Sequence, residues 1–287
     1  MMRLPGILAI AAFLGGVLLP GHRAGAVSHP LAPLRLSWAS DFLTIRGPQV
    51  AGGELKVRYM EAYCRSGSTN RDWRETVIDH KTEAIEAGLE GRTLKLRSTL
   101  KDGVVVDHVI RAGIDEIDFN LTATNPTDIP SDVQWAQPCI RVARFTGVDE
   151  ERNSESYLPK CFIFLAGKLA RMPTQPWTRE ARYVPGQVWC PRKVNRNDVN
   201  PRPLSQLVPS NGLIGCFSAN EKSLLATAWE PYQELFQGII VCLHSDFRIG
   251  GLKAGETKRI RGKIYLVEAD VPALLRRYKK DFPHKEW

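Results

Sequence analysis

The chain has 287 residues, of which 43% are apolar and 24% charged, and carries a formal net charge of +8. That length and apolar content exclude a disordered chain and suit a substantial core, held in one large β domain or two small ones. The positive excess is spread out. Its dense run, Lys258-Arg259-Ile260-Arg261-Gly262-Lys263 with Arg276-Arg277-Tyr278-Lys279-Lys280, reads as a solvated strand face followed by a basic end. No nucleic-acid-binding motif accompanies it, so nucleic acid is excluded as a partner while an anionic polysaccharide is not.

Residues 1–26 read as a secretory signal peptide: Met1-Met2-Arg3 supplies a positive start, Leu4–Pro20 an apolar run, and Ala24-Gly25-Ala26 a small-residue cleavage site. No second apolar run is long enough to span a bilayer. The expected mature chain is a single domain over 27–287, secreted or periplasmic, and losing Arg3 and Arg23 takes its net charge from +8 to +6.

From there the pattern is that of strands. Leu34–Ser40 with Phe42–Ile45 reads as a first strand and Glu54–Cys64 as a second, followed by a polar loop that carries Trp73, Arg74, Asp79 and His80. Strands recur at Thr82–Ala87, Thr93–Leu100, Val104–Ala112 and Glu116–Thr124, separated by turns such as Glu90-Gly91 and Asp102-Gly103. Val104, Val106, His108 and Ile110 share one face, and Ile117, Phe119, Leu121 and Ala123 repeat the alternation, the period-two signature of half-buried antiparallel strands. Val133–Val142 continues as a strand. Residues 166–211, with Pro159 just before, hold eight of the 19 prolines together with Trp177, Tyr183 and Trp189, and read as a long ordered loop rather than a linker. Strand signals resume at Leu213–Ser218, Ser223–Trp229, Gly238–His244 and Thr257–Val267, with a turn expected over Trp229–Glu234. Val271–Phe282, opened by Asp270 and Pro272, reads as the helix. The expected fold class is mainly β: a large antiparallel β-sandwich with one short C-terminal helix.

The six cysteines, Cys64, Cys139, Cys161, Cys190, Cys216 and Cys242, show no metal-ligand spacing and no Cys-x-x-Cys, and no spacing joins His80, His108 and His244. Neither a metal nor a cofactor is therefore expected. Cys139, Cys216 and Cys242 lie in apolar runs and read as small core hydrophobes, while a single bridge among Cys64, Cys161 and Cys190 stays open.

Two segments carry a resemblance. Trp135-Ala136-Gln137-Pro138-Cys139 ends a strand, and Val241-Cys242-Leu243-His244 is followed by Gly250-Gly251-Leu252-Lys253-Ala254-Gly255-Glu256 and a last strand. Over about Leu34–Val267 the chain resembles the galactose mutarotase-like superfamily, which implies a sugar-binding sandwich. In that family the position of Gln137 is a histidine acting as general acid, and that of His244 a glutamate acting as general base. A neutral glutamine delivers no proton, so the resemblance implies a sugar-binding protein without the mutarotase acid and base.

The expected contacts to a carbohydrate, mono- or polymeric and neutral or anionic, are Gln137, Trp229, Glu230, His244, Arg248 and Trp73. Trp229 is expected to stack on the sugar, and the polar groups to hold its hydroxyls. Two rival readings remain: a carbohydrate-active epimerase, lyase or hydrolase using Glu230, Glu234, His244 and Asp246, and a structural or interaction domain of the cell envelope. Clustering of these groups in one cleft favours the sugar readings, and a facing pair of carboxylates within it favours the enzyme.

Overall fold

The computed structural model describes residues 32–150, 155–174, 188–200, 204–238 and 240–283. The chain divides into two compact units, Met1–Pro30 and Leu31–Trp287. The first lies outside the described residues, and with it residues 1–26, read above as a signal peptide, as do Trp177 and Tyr183 of the proline-rich stretch. Among the described residues no helix is long and apolar enough to cross a membrane.

The strands are β1 Arg35–Ala39, β2 Phe42–Arg46, β3 Glu54–Arg65, β4 Val77–Ile78, β5 His80–Ala87, β6 Thr93–Leu100, β7 Val105–Ala112, β8 Glu116–Thr124 and β9 Val133–Arg141. They continue as β10 Cys161–Leu165, β11 Lys168–Arg171, β12 Val188–Trp189, β13 Pro209–Phe217, β14 Ser223–Glu230, β15 Tyr232–Gly238, β16 Cys242–Arg248 and β17 Thr257–Glu268. The helices are α1 Trp73–Thr76, α2 Ala143–Thr146 and α3 Val271–Asp281. The first sheet runs β1-β2-β3-β9-β16-β15-β12, with β4 on β3, and the second β11-β10-β13-β14-β17-β8-β7-β6-β5. The two face each other as an antiparallel sandwich.

Period-two patterning makes the N-terminal half. In β6, β7 and β8 the buried positions alternate strictly with more exposed ones, and His108 pairs with Leu121 across β7 and β8. Most positions of β13 to β16 are buried; β14 is a nearly continuous apolar run, whereas β15 and β16 also bury polar side chains. The helix α3 supplies the outer cover of the second sheet: Leu274, Tyr278 and Phe282 pack on Phe162, Phe164 and Leu213. Asp270 caps it by accepting from the Ala273 N–H at 2.9 Å.

Several expectations are corrected. Leu34–Ile45 is a hairpin and not one strand, because Ser40 and Asp41 both adopt left-handed backbone (φ 50° and 63°), the conformation of a tight two-residue turn. The strand β11 falls where a loop was expected; it pairs with β10 in a second hairpin, which Ala166 and Gly167 turn at φ 48° and 75°. Residues 232–238 form β15 instead of a turn, and the strand expected over Gly238–His244 is interrupted near Val241, whose φ is 46°. Two one-turn helices, α1 and α2, join the expected C-terminal one.

Candidate functional site

The outward face of the first sheet, away from the second, carries the polar chemistry. Leu243, Ser245 and Phe247 of β16 point inward, so strand alternation sends Cys242, His244, Asp246 and Arg248 outward. On β9, Ala136 and Ile140 belong to the core, which leaves Gln137, Cys139 and Arg141 outward at intervals of about 6.7 Å. The β9–β16 register pairs Cys242 with Arg141 and Phe247 with Ala136, which sets Cys139 across from His244 and Gln137 across from Asp246. On the other flank, Glu234 of β15 sits directly opposite Asp246.

The result is a buried polar cluster. His244 Nε2 lies 3.3 Å from Cys242 Sγ, and its Nδ1 lies 3.6 Å from Asp246 Oδ1. The Phe236 ring stacks on the imidazole at 4.1 Å and 7°, fixing its plane. Gly238 leaves the room these groups occupy, since a Cβ there would stand 2.1 Å from Cys242 Sγ. Ligand atoms of Cys139, Cys242 and His244 all fall within 4.8 Å of one another, so these three residues have the geometry to hold a metal ion.

At the rim, half-buried Gln137 donates to Glu61 Oε2 at 3.2 Å. Over the far end, the segment 188–200 closes on β15: the Asn200 N–H donates to Glu234 Oε2 at 3.1 Å, and the Gln233 amide donates to the Asp198 carbonyl at 3.0 Å. Asp198 is also tied to the Gly67 N–H at 2.6 Å and lies 3.7 Å from Arg248.

Burial dominates the electrostatics. It pushes Asp246 up to about 7, against the pull of His244, and with the charge of Asp246 it raises Glu234 well above the ordinary range. For His244 burial acts downward, but the neighbouring Cys242 and Asp246 outweigh it and lift the imidazole to about 10. A hydrogen bond from Cys139 draws the Cys242 thiol well below its usual value, although burial opposes it. Polar atoms here remain without a hydrogen-bond partner in the fold, namely His244 Nδ1, both Asp246 carboxylate oxygens and Glu234 Oε1.

Next to the cluster on the same face runs a cleft of about 640 Å³ across β1, β2, β3 and β9. Arg46, Lys56, Arg141 and Arg144 line it, against Glu54 and Glu150. Burial works against ionisation of Glu54, but the Arg46 hydrogen bond and the charges of Lys56, Arg46 and Arg144 prevail and hold it below its usual range. Arg141 forms no salt bridge among the described residues, and its buried Nε lacks a partner.

Of the residues expected at a sugar site, Gln137, His244, Arg248 and Trp73 share this outward face, as do Glu234 and Asp246. Trp73 packs on Trp135 and Cys64 at its far end. Trp229 is elsewhere. It lies between the sheets at 3% exposure, against Phe119 and Phe247, because Gly262 on the neighbouring strand leaves a space that its ring fills. Glu230 ends β14 of the second sheet, opposite Arg261. Cys139 and Cys242 are corrected too: they face the polar cluster and not the core. All six cysteines are free thiols. Cys64 lies on the first sheet's outer face, Cys161 between the sheets and Cys190 within the 188–200 segment, and all three are free thiols with no bridge between them. Sequence reasoning missed Glu61, Cys139, Cys242 and the basic cleft. The available signal was Cys242-x-His244-x-Asp246, whose spacing of two puts all three groups on one face of any strand.

No family model and no curated protein matches this sequence. Among solved structures, the chain is similar to a putative aldose 1-epimerase from Escherichia coli K12, at 11% identity and a TM-score of 0.40 over 81% of this chain and 98% of that one. It is similar to a protein from Synechocystis sp. PCC 6803 at 9% identity and a TM-score of 0.45, covering 86% of this chain and 100% of that one. A galactose mutarotase-like protein from Lactobacillus casei gives 10% identity and a TM-score of 0.34 over 81% and 99%. These are likenesses of fold.

Proposed function

We propose that the chain binds an anionic carbohydrate along the outward face of the first sheet, and that it does so outside the cytoplasm, as the signal-like segment 1–26 suggests. The observation that carries this reading is the cleft of about 640 Å³ lined by four cations against two carboxylates. Anionic groups of the sugar are attracted to Lys56 and to Arg46, Arg141 and Arg144, whose guanidinium forks suit carboxylates and sulfates. Hydroxyls one or two units along reach Gln137 and Glu61, an amide and a carboxylate that together both donate and accept. The resemblance read from the sequence supports sugar as the ligand class.

A second reading, a carbohydrate-active enzyme, is favoured by the opposed carboxyl groups of Glu234 and Asp246, the facing pair that acid–base chemistry on a sugar requires. One titration separates the two. The mature chain is titrated by calorimetry and ligand-observed NMR with oligogalacturonate and with its carboxyl-reduced neutral counterpart. The acidic oligomer alone is expected to bind, more weakly as salt rises, and Arg141→Gln is expected to weaken it several-fold. New resonances appearing in the same tube identify turnover, and their loss in Glu234→Gln assigns it to the carboxyl pair. Failure of both oligomers to bind defeats the proposal.

A further inference from the structure

We propose that Cys139, Cys242 and His244 are the protein ligands of a zinc-type metal ion, with the fourth position of the tetrahedron open to water or another oxygen ligand. Two strands contribute. Cys139 comes from β9 and Cys242 and His244 from β16, brought together by a pairing across about a hundred residues of sequence.

The distances suit the ion. A tetrahedral zinc bound at about 2.3 Å by sulfur and about 2.0 Å by nitrogen holds its S and N ligands about 3.5 Å apart. Cys242 Sγ and His244 Nε2 stand 3.3 Å apart, and the three ligand atoms lie within 4.8 Å of one another. Thiolate and imidazole select a soft or borderline ion over magnesium or calcium.

The surroundings support it independently. A metal-bound histidine donates its other ring N–H to a carboxylate, which sets the tautomer and the ring's aim. His244 Nδ1 faces Asp246 at 3.6 Å, and neither that nitrogen nor either Asp246 oxygen has a hydrogen-bond partner in the fold. Phe236, stacked at 4.1 Å, holds the ring in place. Among the described residues no Lys or Arg forms a salt bridge to Glu234 or Asp246, although both are fully buried. A divalent ion on the three ligands would place positive charge beside this buried acidic pair.

The test uses the reduced, tag-free chain without sugar, so its outcome and that of the sugar titration are read separately. Anaerobic titration with Co²⁺ is expected to give one tetrahedral site, with visible ligand-field bands and a near-ultraviolet thiolate-to-cobalt charge-transfer band. Excess Zn²⁺ is expected to abolish both. Asp246→Asn is expected to weaken Zn²⁺ binding roughly 10- to 100-fold, as loss of an orienting partner does, while keeping the charge-transfer band. Cys139→Ser and Cys242→Ser are expected to weaken Zn²⁺ further and to reduce that band. A wild-type cobalt complex without thiolate charge transfer, or no stoichiometric binding at all, overturns the assignment whatever the variants do. So does unchanged Zn²⁺ affinity in both serine variants, provided circular dichroism shows them folded.

Discussion

His108 lies between the two sheets, with the Tyr59 hydroxyl 2.9 Å from Nδ1 and the Tyr63 and Ser98 hydroxyls 3.2 and 3.1 Å from Nε2. It is the satisfied core histidine that its place on an alternating strand suggests. Burial drives its pKa down to about 3, the charge of Asp107 opposing only in part. In the unfolded chain the ring titrates near 6.5. Between those values the unfolded chain takes up a proton that the folded protein refuses. The contribution of His108 to stability is therefore complete above about pH 6.5 and is lost as pH falls towards about 3, by roughly 1.4 kcal/mol for each pH unit of that window. Urea unfolding at pH 7, 5.5 and 4 is expected to show stability falling more steeply in wild type than in His108→Gln. Parallel falls in the two would remove His108 from the account.

At the scale of elements, α3 behaves as the outer half of a core. Leu274 is 1% exposed against the outer face of the second sheet, whereas Arg276 points to solvent. Leu274→Ala is expected to cost about 2–4 kcal/mol and Arg276→Ala less than about 0.5 kcal/mol, both read from the urea midpoint at constant slope. A small effect of Leu274→Ala would mean that the helix sits loosely on its sheet.

The same scale explains what was legible in the sequence. The strands β6 to β8 stood out because one face is buried and the other wet, so the period of two is written in side-chain polarity. By contrast β15, Tyr-Gln-Glu-Leu-Phe-Gln-Gly, is buried on both faces yet polar, so it imitates a turn. Trp229 resembled a sugar platform because it opens Trp229–Glu234, read as a turn rich in aromatics and carboxylates, and the space above Gly262 that receives its ring is visible only in the folded sheet. The cluster around His244 hid for another reason. Cys139 and His244 meet through strand pairing, which local periodicity does not encode.

Taken whole, the molecule keeps all six thiols inside. Five lie on strands of the two sheets, and Cys190 follows β12, a two-residue strand paired only with β15 and, by one bridge, with Leu204. Pulsed iodoacetamide labelling of the metal-free protein, read by mass spectrometry, is expected to modify the five strand cysteines together, at the rate of global opening, and Cys190 sooner by local opening. Independent rates for the five would show that the sandwich does not open as one unit.

One feature of the second sheet bears on how the protein is made. Among the described residues, β11-β10-β13-β14 and β8-β7-β6-β5 are joined in the strand order through β17, which follows the other sixteen strands in sequence. A chain emerging from the ribosome therefore holds two unjoined half-sheets until residues 257–268 are out, each with an open edge where the keystone will fit. Neither edge is shielded before that segment is made. Protection from sticking to other nascent chains during that interval must come from outside the fold.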